Sequence, residues 1–175
     1  MTLKKGAAGS YDFGYIDSSK YSGSITYVNV YTRNGFWEFS PNGYAIGAGA
    51  FNSTNLDAIA DTGTTLLYLP SAIVAQYWSQ NGGAYDYIQG GYTFACSRVL
   101  LPLTIGIGSY KAVVPGSYLN YAQISSTRCF GGLQPDTGIG FSILGDIFLK
   151  SQFVVFSATG PQLGFAPQNR YVNFT

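Results

Sequence analysis

Apolar residues along this chain recur mostly at every second position. Ser24-Ile25-Thr26-Tyr27-Val28-Asn29-Val30-Tyr31 alternates in this way, the period of a strand with one buried face. The same reading predicts strands over 35–39, 44–50, 56–60, 91–96, 103–107, 110–114, 140–144, 152–157 and 162–166. Asn34-Gly35 and Asn42-Gly43 have the composition of hairpin turns between strands, and Pro115-Gly116-Ser117 that of a turn. One stretch breaks the alternation. Ile73, Val74, Tyr77 and Trp78 fall at spacings of three and four, which predicts a helix over 71–80 with Ser71 as its N-cap. Asn81-Gly82-Gly83 ends it. A short second helix is expected over 146–150. No linker, low-complexity block or internal repeat is visible. The chain reads as all-β, with one or two short helices.

Composition sharpens this picture. Among 175 residues, 46% are hydrophobic and 17% aromatic, enough for a cored domain and not for a disordered one. Only 10% are charged and 23 are glycine, so Ser, Thr, Asn and Tyr must cover much of a turn-rich surface. The net charge is +1 and Lys4-Lys5 is the one basic pair of note, so no nucleic-acid partner is expected. No run approaches the roughly 18 apolar residues of a membrane span. Histidine is absent. Ser-His and Cys-His nucleophiles are therefore excluded, and neither a metal site nor a cofactor is expected. Acid–base chemistry must come from carboxylates or tyrosines. Two cysteines, Cys96 and Cys129, could form one bridge or remain as two buried thiols; the low charge favours an oxidising setting. Sequons occur at Asn52-Ser53-Thr54 and Asn173-Phe174-Thr175.

One motif stands out for its chemistry. In Ala58-Ile59-Ala60-Asp61-Thr62-Gly63-Thr64-Thr65-Leu66-Leu67-Tyr68-Leu69-Pro70 an aspartate sits in a tight turn between apolar runs, a costly place for a charge. Two carboxylates a few ångströms apart cannot both ionise, so a pair can share one proton and hydrolyse an amide through an activated water. Each needs a rigid cradle. Gly63 lets a backbone amide approach the carboxylate, and the hydroxyls of Thr62 and Thr64 can donate. Asp136-Thr137-Gly138 repeats the tripeptide, but Ile139-Gly140 follows it in place of Thr-Thr. It reads as a surface turn leading to Ile143. Asp146 reads as a capping or turn residue.

With Ile143-Leu144-Gly145-Asp146, the Asp61 segment resembles the C-terminal lobe of pepsin-like aspartic proteases, particularly the secreted fungal enzymes. Further matching stretches are Tyr11-Asp12-Phe13-Gly14-Tyr15-Ile16-Asp17, Gly35-Phe36-Trp37, Cys129-Phe130-Gly131-Gly132 and Gly138-Ile139-Gly140. The resemblance implies one lobe of a bilobal acid-protease fold over 11–167, preceded by a leader or added segment at 1–10 and followed by a tail at 168–175. It implies that Asp61 is the catalytic aspartate of this lobe, supported by Thr62 across the lobe interface and by Thr64 at the carboxylate. Gly63 and Thr65 would bind the substrate backbone. Tyr68, Ile139, Phe141 and Ile143 would line subsites, with core packing as the competing assignment. It also implies that Cys96 and Cys129 are bridged.

The same resemblance leaves half of the machinery elsewhere, because the second aspartate and the flap belong to an N-terminal lobe. The expected partners are a peptide or protein substrate, and either that lobe or a second copy of this chain. Alone, the chain should cleave weakly or not at all. The alternative is a non-catalytic β domain that binds or serves as a folding unit. The parent enzyme would be secreted and work in acid, and the chain should stay folded near pH 4 because little charge builds up there.

Overall fold

The computed structural model describes residues 1–169. Among them the strands form four sheets. The one that carries the site runs in the order Leu133–Pro135, Leu67–Leu69, Ser142–Leu144, Ala58–Ala60, Glu38–Phe39. Two of its neighbouring pairs are parallel: Leu133–Pro135 lies beside Leu67–Leu69, and Ser142–Leu144 beside Ala58–Ala60. Parallel neighbours need long crossovers, and the stretch between residues 69 and 133 supplies the main helix and most strands of two antiparallel sheets. One antiparallel sheet joins Tyr110–Val114, Leu103–Ile107, Gly43–Ile46 and Asn52–Ser53; another joins Asn120–Gln123, Arg128–Gly131, Gly91–Ala95 and Ala84–Asp86.

The main helix, Ser71–Asn81, buries Ile73, Val74, Tyr77, Trp78 and Asn81, the face that the spacing predicts. Its anchor is Trp78. The indole N–H donates to the Leu133 carbonyl at 2.9 Å, and the ring stacks on Tyr92 and Phe94, clamping the helix between two sheets. Gly82 closes the helix in a left-handed conformation. The start differs from expectation. Pro70 is the N-cap, without a side-chain cap, and Ser71 is the first helical residue, its hydroxyl engaged with Thr137 Oγ1 at 3.0 Å.

Other elements also depart from the sequence reading. Asn42-Gly43 does not close a hairpin: Glu38–Phe39 pairs with Ala58–Ala60, whereas Gly43–Ile46 pairs with Leu103–Ile107 in another sheet. Gly116–Leu119, after Pro115, is a short helix where a turn was expected. The short second helix is Asp146–Leu149. Residues 1–10, read as a leader, supply Thr2–Lys4 and Ala7–Ser10 to a five-stranded sheet with Gln152–Ser157, Gln162–Pro167 and Thr26–Asn29. Thr2 pairs with Phe153 there. Strands of three and four residues are too short for their alternation to register. At the other end of the chain, Gln168 donates to the Leu3 carbonyl and Asn169 to those of Ser19 and Tyr21. The sequon at Asn173 lies outside the described residues; Asn52 is exposed.

Cys96, just after the strand Gly91–Ala95, is bridged to Cys129 on its neighbour, with Cα atoms 5.1 Å apart and a separation of 33 in sequence. Closing a loop of that size restricts the unfolded chain. Replacing both cysteines by serine is expected to lower the unfolding free energy by about 2–5 kcal/mol, measured by urea denaturation.

A second test concerns acid. Lys20 Nζ lies 2.6 Å from Asp12 Oδ1, both side chains being largely buried. The hydrogen bond from Lys20 holds the Asp12 carboxyl below its ordinary value. A depressed folded-state pKa gives stability that is present above the unfolded value of about 3.9 and lost as pH falls through the folded value. Asp12→Asn should therefore lower Tm at neutral pH and narrow its gap to the parent chain below about pH 4. A constant gap across that range would contradict the assignment.

Candidate active site

The buried run Ala58–Ala60 delivers Asp61 to the edge of the sheet, where its backbone N–H donates to the Leu144 carbonyl at 3.2 Å. The chain then turns sharply. Gly63 N–H donates to Asp61 Oδ1 at 2.9 Å, and Thr64 Oγ1 donates to Oδ2 at 2.6 Å. Each carboxylate oxygen thus has its own donor. Asp61 remains half-exposed, while Thr62, Gly63 and Thr65 are exposed.

The turn is locked from behind. Asp146 N–H donates to the Thr64 carbonyl at 2.8 Å, and Ile147 N–H to that of Thr65 at 3.1 Å. These bonds bring Gly145 so close that a Cβ there would lie 2.3 Å from the Leu66 oxygen and 2.4 Å from the Thr64 oxygen. Asp146 opens the short helix, half-buried, in the turn position expected of it. Burial pushes its carboxyl up, Lys150 opposes this, and the charge of Asp61 adds to the rise.

In front of Asp61 is a groove of about 420 Å³, walled by Tyr11, Phe13, Phe36, Trp37, Ile59 and Phe156 together with Gly35, Ala60 and Thr62. Tyr68 and Ile143 face one another across neighbouring antiparallel strands. Both are half-buried and stand outside the fully buried core, as does Phe141. Ile139 is 38% exposed, in a turn where its N–H donates to the Asp136 carbonyl. Phe141 lies with its ring centroid 5.6 Å from that of Phe36. Phe36 also lines the groove, a placement that the sequence pattern does not single out beyond an aromatic directly after Asn34-Gly35. Tyr68 borders a second cavity of about 580 Å³, whose walls include Tyr85, Tyr87, Tyr92 and Phe130.

The second Asp-Thr-Gly is a turn, as expected. Asp136 accepts from Ser142 Oγ at 2.8 Å, linking Leu133–Pro135 to Ser142–Leu144.

Asp61 is thus an aspartate cradled by a hydroxyl and an amide at the end of a strand, interlocked through its turn with an apolar-Gly-Asp segment. The profile of the eukaryotic aspartyl protease family matches residues 1–168. The chain belongs to that family, within its pepsin-like branch. It is 57% identical over 169 residues to penicillopepsin-3 of Penicillium janthinellum, covering 95% of this chain and 43% of that protein. To aspergillopepsin-1 of Aspergillus fumigatus it is 56% identical over 171 residues, covering 96% of this chain and 43% of that one. The crystal structure of an aspartic proteinase from Irpex lacteus matches with a TM-score of 0.74 and 25% identity, over 90% of this chain and 51% of that one. The chain thus spans less than half the length of the curated relatives it matches.

Proposed function

We propose that this chain is the C-terminal catalytic lobe of a secreted acid endopeptidase and that Asp61 is one of its two catalytic carboxylates. The observation that carries the reading is the pair of donors on Asp61, one per oxygen, at the mouth of an apolar groove. An ionised carboxylate takes a proton from water while its protonated partner donates to the peptide carbonyl oxygen. The water oxygen bonds to the carbonyl carbon. The dyad then gives its proton to the amide nitrogen and takes one from a hydroxyl of the resulting diol, and the C–N bond breaks to leave a carboxylic acid and an amine, with the single shared proton back on the dyad.

The second aspartate comes from an N-terminal lobe. Tyr11, Phe13, Tyr15 and Ile16 are exposed by 55%, 86%, 63% and 45%, and such a concentration of apolar surface beside the groove suits a partner. Thr62 faces that partner. Gly63 and Thr65 hold the substrate backbone, and Tyr68, Ile139, Phe141 and Ile143 contact its side chains. The disulfide suits secretion.

The test is cleavage of an unfolded protein at about pH 3–5, by the chain alone and by the chain refolded with the N-terminal lobe of a fungal relative. Cleavage confined to the mixture is the expected result. Cleavage by the chain alone, lost in Asp61→Asn, would mean that two copies bring their Asp61 residues together. No cleavage in either sample would overturn the reading.

A further inference from the structure

Glu38 is 4% exposed, in a strand whose register places it opposite Ile59, two residues before Asp61. A carboxylate buried at a sheet edge is costly unless it is bonded, and the amide dyad has no use for it there. Its partners are both in the adjoining turn. Asn34 Nδ2 donates to Oε2 at 2.7 Å, and Arg33 Nη2 approaches Oε1 at 3.4 Å. The backbone closes the same loop: Tyr31 N–H donates to the Glu38 carbonyl at 2.7 Å, and Gly35 N–H to that of Thr32 at 3.1 Å. Gly35 takes φ 74°, which a side chain would strain.

What this loop displays is one wall of the groove. Phe36 leaves the turn to meet Phe141, the Trp37 ring meets Phe156 edge-on at 5.1 Å, and the Trp37 carbonyl accepts from Ala60 N–H at 3.0 Å. Arg33 is 73% exposed, and an exposed pair adds little. The bond from Asn34 is therefore the stronger tie.

We propose that Glu38 is a positioning residue for substrate selection: its buried carboxylate latches the Asn34-Gly35 turn and so sets the Phe36–Phe141 wall beside Asp61. The selection half of this inference rests on the protease reading; the latch itself does not. An untied turn would let Phe36 swing out, leaving a wider and wetter groove that binds a bulky apolar side chain less well. The groups that carry out the chemistry would be unchanged.

Two readouts on Asn34→Ala and Glu38→Leu, each of which removes the bond between the two side chains, test it. In the chain alone, acrylamide quenching of Trp37 should rise about twofold as its packing against Phe156 loosens. Trp78, fully buried, serves as the internal reference. Asn34 is exposed, so its truncation opens no cavity in the core, and it tests the latch even where Glu38→Leu does not fold. In the two-lobed mixture, KM for a peptide with a large apolar residue against Phe36 should rise about fivefold with kcat moving far less, and a peptide with alanine there should show no such change. Unchanged quenching overturns the latch. Increased quenching with equal losses for both peptides overturns the selection role. If the unsubstituted mixture cleaves nothing, the protease reading and the selection half fall together, and the quenching result still decides the latch.

Discussion

Replacing Asp61 by asparagine is expected to reduce cleavage by the two-lobed mixture by roughly 10³-fold or more, with the fold intact. A positioned acid–base group contributes on the order of 10²–10⁴ in rate, and residues that act as a unit fail together. Asparagine cannot take a proton from water, so one carboxylate is left where chemistry needs two. The cradle, by contrast, tolerates the change. The asparagine oxygen can accept from Gly63 N–H, and its NH2 group can donate to Thr64 Oγ1. These are the two partners that the carboxylate has now. Stability should therefore shift by less than about 1 kcal/mol. Cleavage and unfolding measured on the same preparation separate the two effects. Activity that survives would remove Asp61 from the dyad, and a chain that unfolds would show that the turn needs the charge to form.

The second large effect is structural. Gly145→Ala should destabilise the chain by about 3–5 kcal/mol, a large share of the roughly 5–15 kcal/mol that holds a typical domain. The added methyl would stand 2.3 Å and 2.4 Å from two backbone carbonyl oxygens, neither of which can rotate aside as a side-chain end could. Relief requires the Thr64–Leu66 backbone to move away from Gly145. That movement breaks the bonds from Asp146 to Thr64 and from Ile147 to Thr65. It also displaces the Thr64 hydroxyl from Asp61, so activity should fall beyond what the unfolded fraction explains. Urea denaturation together with cleavage at a temperature where the variant is folded would measure both. A loss of under about 1 kcal/mol would mean that the two loops are not interlocked as the contact implies.

The sequence alone determined what depends on near neighbours. Asp61-Thr62-Gly63-Thr64 contains both donors that its carboxylate uses, within three residues. Ile73, Val74, Tyr77 and Trp78 form the buried side of a helix because a helix repeats every 3.6 residues, and that period is visible in a single window. The second Asp-Thr-Gly could be set aside on its flanking residues. Resemblance to the pepsin-like family favoured the Cys96–Cys129 bridge over two free thiols, and it is the source of the proposed subsite residues, which no local pattern specifies.

Tertiary structure decided what depends on distant strands. Residues 1–10 join a sheet because Thr2 meets Phe153, which lies near the other end of the chain. Asn42-Gly43 looks like a hairpin turn, yet its two strands find partners in different sheets. Ser71 could cap a helix, but it is the first helical residue, its hydroxyl engaged with Thr137. Gly145 is an ordinary residue of a short motif until the Thr64–Leu66 loop folds against it. Glu38 likewise reads as one polar residue among aromatics. Only pairing with Ile59 buries it and leaves Asn34 and Arg33 as its donors. Local chemistry can be read from spacing along the chain. Burial and close approach are properties of pairs far apart in sequence, and the folded arrangement alone brings those pairs together.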